Sequence, residues 1–393
     1  MSEKIKCAIC GAQTHSIQLH LKEAHSDWTI DMYKSTYPNE PLLSQTALDA
    51  IEKKRAEQAG EGKKVEMAGS AAATVSTLIP KGHINKKMLH EVFELGKVKA
   101  ALSVKGDPIP ISVMAPHAEE NQIMVPEVSS YYVYDIDELK NVILALELKI
   151  PCLVWGHKGS GKSELIEQVC ARTNRPTIRI QHTVNTEESH ILGQWTVKGG
   201  NTEFELGPLP LAMLNGWVYC ADEYDFGMPS VLAVYQPVLE GKSLVIKEAP
   251  AHMRIIKPHA NFRFCATGNT NGSGDESGLY QGTMIQNSAN YDRFGMVINK
   301  KYMDKKAESQ ILQNHCKLVP ADADKFVEFA SLVRQAYDGA KMSDTVSPRA
   351  LINASRIGVM RGSFTQGLNL SFINKLSKID REVASGLAQR IFG

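Results

Sequence analysis

Net charge, long hydrophobic runs and internal repeats are all missing from this 393-residue sequence, and each absence narrows what it can be. Forty-four Lys and Arg stand against 43 Asp and Glu, leaving a formal charge of +1. No global field therefore steers the chain toward nucleic acid or an anionic membrane. No stretch approaches the ~18 apolar residues that would span a bilayer. The opening residues, MSEKIKCAIC, lack the apolar core of a signal peptide. The chain is expected to be cytoplasmic, free of membrane contact, with its thiols reduced. Cys152, Cys170, Cys220, Cys265 and Cys316 are scattered, mostly in apolar runs, and read as small core residues. An apolar content of 43% and a charged content of 22% are ordinary for a globular protein, and the length suggests two or three domains.

What is present starts at the N-terminus, with CAICGAQTHSIQLHLKEAH. Cys7 and Cys10 lie two residues apart, nine residues follow, and His20 and His25 are separated by four. Two thiolates and two imidazoles suit tetrahedral Zn²⁺. Ile17 and Leu21 fall on the inner face of a predicted helix, and Trp28, Tyr33 and Tyr37 follow as apolar anchors. So small a unit cannot be held by burial alone, so the metal would supply its folding energy. His15, early on that helix and away from the pairs, is the less suited ligand. Residues 1–25 hold three lysines and two acids, and of Gln13, Ser16 and Leu19 only Gln13 is a natural base reader. Protein docking or targeting is therefore favoured over nucleic-acid contact.

The pattern predicts a zinc-finger module over 1–45, a helix and flexible Gly/Ala/Ser/Thr-rich linker over 46–80, and a separate segment over 81–130. Strands and helices then alternate over 131–302, as in ELKNVILALEL, PCLVWG, KSELIEQVCART, PTIRIQ, WVYCAD and FRFCATGN. That alternation argues an α/β core, a parallel sheet flanked by helices. Residues 303–393 read as a helical region.

GHKGSGKS, comprising Gly156, His157, Lys158, Gly159, Ser160, Gly161, Lys162 and Ser163, fits the phosphate-binding loop pattern and lies between an apolar strand and a helix. Backbone N–H groups would curl around phosphates, Lys162 would supply charge, and Ser163 would ligate Mg²⁺. WVYCADEYD ends an apolar run in Asp222, suited to Mg²⁺ through water, and Glu223, suited to orient an attacking water. Asn269 ends a third strand and is placed to touch a terminal phosphate or that water. Arg293 in NYDRFG and Arg349 in SPRALI follow.

In this order the motifs resemble AAA+ P-loop NTPases of the MoxR type. GDESGLYQGTMIQNSANYDRF and VPEVSSYYVYD resemble, more narrowly, the CobS-type ATPase subunits of aerobic cobaltochelatases, and the likeness runs from about Phe93 to the C-terminus. The resemblance implies an ATP-hydrolysing homo-oligomeric ring, expected to be a hexamer, that remodels a partner. That partner would be a CobT-like protein with a metal-ion-dependent adhesion site. It implies Walker A roles for Lys162 and Ser163, and Walker B roles for Asp222 and Glu223. Asn269 would be sensor 1, Arg293 a finger reaching the neighbouring subunit's ATP, and Arg349 sensor 2 on a helical lid. The stretch 195–213 resembles an inserted hairpin facing the ring pore. The N-terminal Cys/His unit departs from that family and resembles the fingers of Ros/MucR-type regulators. The alternatives are an ATPase recruited to nucleic acid through the finger, as in phage or mobile elements, and literal service in cobalt insertion.

Overall fold

The computed structural model describes residues 4–25, 27–38, 40–46, 84–96 and 98–393. The chain divides into two compact units, one ending at Ser70 and the other beginning at Ala71. The helix and linker expected over 46–80 lie, but for residue 46, outside the described residues.

In the smaller unit β1 (Ile5–Lys6) pairs antiparallel with β2 (Gln13–Thr14). The connecting turn carries Cys7 and Cys10 and closes through Gly11 at φ +77°. Ser16 caps α1 (Ile17–Ala24) by accepting from Leu19 N–H, and Thr29 caps α2 (Ile30–Thr36) by accepting from Met32 N–H. Ile17, Leu21 and Tyr33 are fully buried with Cys7, and Trp28 and Tyr37 pack around them. Four buried side chains make a minute core, which leaves little hydrophobic stabilisation without a crosslink.

Among its described residues the larger unit has first an antiparallel strand pair, β3 (Ile84–Met88) against β4 (Pro110–Met114). Helix α3 (Ile136–Leu148) starts where Asp135 accepts from Asp137 and Glu138 N–H, and it buries Leu139, Val142, Ile143 and Leu146. Then follow β5 (Cys152–Trp155), α4 (Lys162–Arg172) and β6 (Thr177–Gln181). A hairpin, β7 (Gly193–Lys198) and β8 (Asn201–Leu206), leads into α5 (Pro208–Asn215) and β9 (Val218–Asp222). The sheet is completed by β10 (Arg263–Gly268) and β11 (Met296–Asn299). Its five strands are all parallel, in the order β11-β5-β10-β9-β6. The central strands are apolar along their length because helices cover both faces. Cys265 pairs in register with Cys152 on one side and Cys220 on the other, and all three are buried core residues.

This strand order positions the site. β10 lies between β5 and β9, so the carboxyl ends of three strands bring the phosphate-binding loop, Asn269 and Asp222–Glu223 to one edge. Ligands of open α/β sheets bind at such an edge.

The C-terminal part is helical: α6 (Lys305–Cys316), α7 (Pro320–Asp338), α8 (Pro348–Arg361), α9 (Phe364–Ser371) and α10 (Lys378–Phe392). Phe326, Phe329, Val333, Leu351 and Leu368 are fully buried in its own core. Among the described residues no helix is long and apolar enough to cross a membrane.

Candidate active site

Gly156 leaves β5 at φ +151°, and a Cβ there would stand 2.1 Å from the Lys300 carbonyl oxygen, so no side chain fits. Gly161, at φ +85°, is the N-cap of α4. Between them the loop wraps Lys162, whose Nζ donates to Gly156 O at 2.9 Å, His157 O at 3.2 Å and Asn269 Oδ1 at 2.9 Å. Burial pushes the Lys162 pKa down to about 8, against the favourable charges of Asp225, Asp222 and Glu223. Below that pH the ammonium is present, and above it the charge is lost. Nucleotide affinity should therefore weaken as pH rises past about 8, measurable by equilibrium binding between pH 7 and 9.

Asp222 is the most heavily bonded group. Its Oδ1 accepts from Ser163 Oγ at 2.5 Å and from the Thr267 hydroxyl. Its Oδ2 accepts from Arg179 Nε at 2.9 Å and Nη2 at 2.6 Å. Burial works to raise its pKa, but the bonds from Ser163, Thr267 and Arg179 outweigh it and hold the carboxyl below its usual range. The Ser163 hydroxyl and the anionic Asp222 carboxylate that it touches are hard-oxygen donors that fit Mg²⁺.

Glu223 is held in the left-handed region at φ +52°, which turns it out of the strand line. Its carboxylate accepts from Gln181 Nε2 at 2.7 Å, and its N–H donates to Thr267 Oγ1 at 3.2 Å. Asn269 is fixed through its backbone, whose N–H donates to Asp225 Oδ2 at 2.8 Å. A cavity of about 280 Å³ is lined by Lys158, Gly159, Lys162, Ser163, Asp222, Glu223, Asn269 and Arg349 among others. A second, about 450 Å³, shares Gly159, Gly161, Glu164 and Arg349 with it and adds Ser160, Tyr131, Tyr132, Ile311 and Ile352. The first is polar and phosphate-sized, the second wide and flanked by apolar side chains as a base requires. His157 is turned away, its ring stacked 5.8 Å from Tyr302, and Lys158 pairs with Asp344.

Arg293 is not part of this assembly. Its Nε donates to Glu240 Oε1 at 2.7 Å and its Nη1 to Ala289 O at 2.5 Å, and it lines neither cavity. Sequence reasoning missed Arg179, Gln181, Thr267 and Asp225. For the first two a signal existed: in TIRIQ the polar side chains share one face of a strand that otherwise reads as buried.

In the smaller unit the ligand atoms of Cys7, Cys10, His20 and His25 all lie within 4.8 Å of one another. Cys10 Sγ is 3.1 Å from His20 Nε2, and His25 Nε2 is buried with no hydrogen-bond partner. A zinc tetrahedron has edges of roughly 3.3–3.8 Å, so this set fits with small adjustment, and the orphaned imidazole nitrogen gains a partner. His15 is engaged elsewhere, 2.8 Å from Ser44 Oγ.

A phosphate-binding loop, an acidic strand end and a polar neighbouring strand end on a parallel sheet define a P-loop nucleotide hydrolase. Residues 151–283 match the AAA domain of the dynein-related subfamily. The chain is 32% identical over 296 residues to the aerobic cobaltochelatase subunit CobS of Sinorhizobium sp, covering 72% of this chain and 88% of that one. It is 21% identical to the protein CbbQ of Hydrogenophilus thermoluteolus, covering 60% and 84%. A P216G mutant of Thermotoga maritima RuvB aligns with a TM-score of 0.43 and 14% identity over 66% of this chain and 78% of that one. The chain belongs to the CobS-related, MoxR-type family of AAA+ ATPases, and it is an ATPase.

Proposed function

We propose that this chain is a ring-forming ATPase that uses ATP hydrolysis to remodel a partner protein complex, with its zinc finger as the targeting module. The observation that carries the ring is Arg293. It is paired and presented away from its own nucleotide cavities. By resemblance Arg293 is an arginine finger, and a finger that lies outside its own site would serve another copy's.

Within one copy, Gly156 to Ser163 cradle the phosphates, Lys162 faces them, and Arg349 reaches them from α8. Mg²⁺ on Ser163 and Asp222 would neutralise phosphate charge. Glu223, once released from Gln181, accepts a proton from the water that attacks the terminal phosphorus. The bond from that phosphorus to the bridging oxygen breaks, and ADP and phosphate leave. Asn269 holds Lys162 and lines the same cavity as Glu223.

For the finger, residues 4–46 hold four lysines against two aspartates and two glutamates, so phosphate attraction is weak. Leu19 and Met32 are exposed apolar side chains there, which supports protein contact over nucleic acid. By resemblance the contacted partner is a CobT-like protein with a metal-ion-dependent adhesion site. Literal cobaltochelatase service is the second reading, favoured by the 88% coverage of the Sinorhizobium subunit.

The test is complementation. Arg293→Ala should bind ATP as before but hydrolyse it at least ~10³-fold more slowly, within the range for such arginines. Mixed with Lys162→Ala protein it should regain part of its turnover, because wild-type halves then meet at shared sites. Wild-type activity independent of protein concentration, in a chain monomeric with ATP, would end the ring reading.

A further inference from the structure

We propose that Tyr280 reads the terminal phosphate of the bound nucleotide and makes the site distinguish ATP from ADP. The inference rests on the reading that the polar cavity beside the loop holds the phosphates.

Tyr280 belongs to the segment GLYQGT, residues 278–283. Its ring is buried, and its hydroxyl accepts from Lys158 N–H at 3.0 Å and lies 3.0 Å from His157 Nδ1. It lines the phosphate cavity together with Leu279. The cavity's direction fixes which phosphate that hydroxyl would meet. The wide, base-sized cavity joins it at Gly159, Gly161, Glu164 and Arg349, so the nucleotide enters there. Lys158, Tyr280, Glu223 and Asn269 are among the residues that line the polar cavity and not the wide one, which sets them on the side away from that entrance. A diphosphate stops short of that end, and a triphosphate fills it.

The chemistry suits the task. Burial, set against the bond from Lys158, pushes the phenol up to about 12, so the hydroxyl stays protonated and donates at working pH. One acceptor position is taken by the Lys158 amide, and the O–H is left to choose between His157 Nδ1 and an arriving phosphate oxygen. A charged oxygen is the stronger acceptor. Tyr280 also stands on the connection running from Asn269 to Arg293. That connection is pinned at Asp225, whose carbonyl accepts from Met284 N–H at 2.7 Å, and at Asp275, whose Oδ2 accepts from Tyr280 N–H at 2.7 Å.

The test is Tyr280→Phe in the full chain, which keeps the buried ring and removes only the hydroxyl. Equilibrium binding is measured for ADP and for a non-hydrolysable β,γ-imido analogue of ATP, with Lys162→Ala alongside. The analogue should lose about tenfold in affinity, the usual worth of one hydrogen bond to a charged group, while ADP stays within about twofold. An equal loss for both nucleotides would mean that the hydroxyl only shapes the loop, and no loss would mean that it touches nothing; either overturns the proposal. If Lys162→Ala still binds both nucleotides, the cavity does not hold the phosphates, and the underlying reading fails first.

Discussion

Glu223→Gln should lower ATP turnover by a factor on the order of 10²–10⁴ and leave ATP affinity within about twofold, the signature of a lost general base rather than a lost contact. The substitution keeps shape and length. The amide oxygen can still accept from Gln181, which now holds the carboxylate at 2.7 Å. Phosphate binding depends on the loop, Lys162 and Ser163, none of which touches the altered group. What disappears is a negative charge able to take a proton from the attacking water. The left-handed backbone at Glu223, φ +52°, costs energy for any residue with a Cβ, and the structure bears it to aim this side chain. Phosphate release under steady state gives turnover, and nucleotide titration gives affinity. A variant retaining most of its turnover would show that another residue activates the water. Because it should hold ATP without consuming it, the same variant is the reagent of choice for retaining a partner.

How much of this was legible follows from how local each feature is. The phosphate-binding loop announces itself because its glycines, lysine and serine must be consecutive for the backbone to curl around an anion. Helices α3 and α4 were visible as helical segments between apolar strands, and α6 to α10 as one helical region over 303–393. The parallel sheet followed from apolar strands separated by helices. The rest was set by register and by the path of loops. Arg179 and Gln181 matter because β6 lies beside β9 in a register that pairs Gln181 with Asp222, and no pattern in TIRIQ states its neighbour. Asp225 was hidden behind the acidic pair before it. It is fully buried, and one of its oxygens takes the Asn269 and Thr270 amides and the Thr270 hydroxyl. Tyr280 reaches the loop across more than 120 residues of sequence, a contact only the folded chain creates.

The double substitution Cys7→Ser, Cys10→Ser should unfold the smaller unit while basal ATP hydrolysis persists. Its described core consists of Cys7, Ile17, Leu21 and Tyr33, too few buried groups to offset the entropy of ordering some 40 residues. Binding of a structural zinc to such a unit is its folding free energy, on the order of 10 kcal/mol or more, and removing two of four ligands forfeits most of it. Losing Cys7 also removes a fully buried core atom, so serine is not a neutral replacement there. The ATPase unit is separately compact, and every residue placed in its nucleotide site lies beyond Ala71. Strong chelator or acid should reproduce the loss in the unaltered chain, because the ligands must be thiolate and neutral imidazole to hold the ion. Metal analysis, far-ultraviolet circular dichroism of the chain with and without chelator, and phosphate release together decide the matter. Stimulation by a partner should vanish with the fold of this unit. Salt then separates two kinds of partner: contact with nucleic-acid phosphates weakens steeply as ionic strength rises, whereas docking through exposed apolar groups such as Leu19 and Met32 responds little. Protein purified without chelator and free of zinc, yet folded over these residues, would refute the metal assignment and the targeting role built on it.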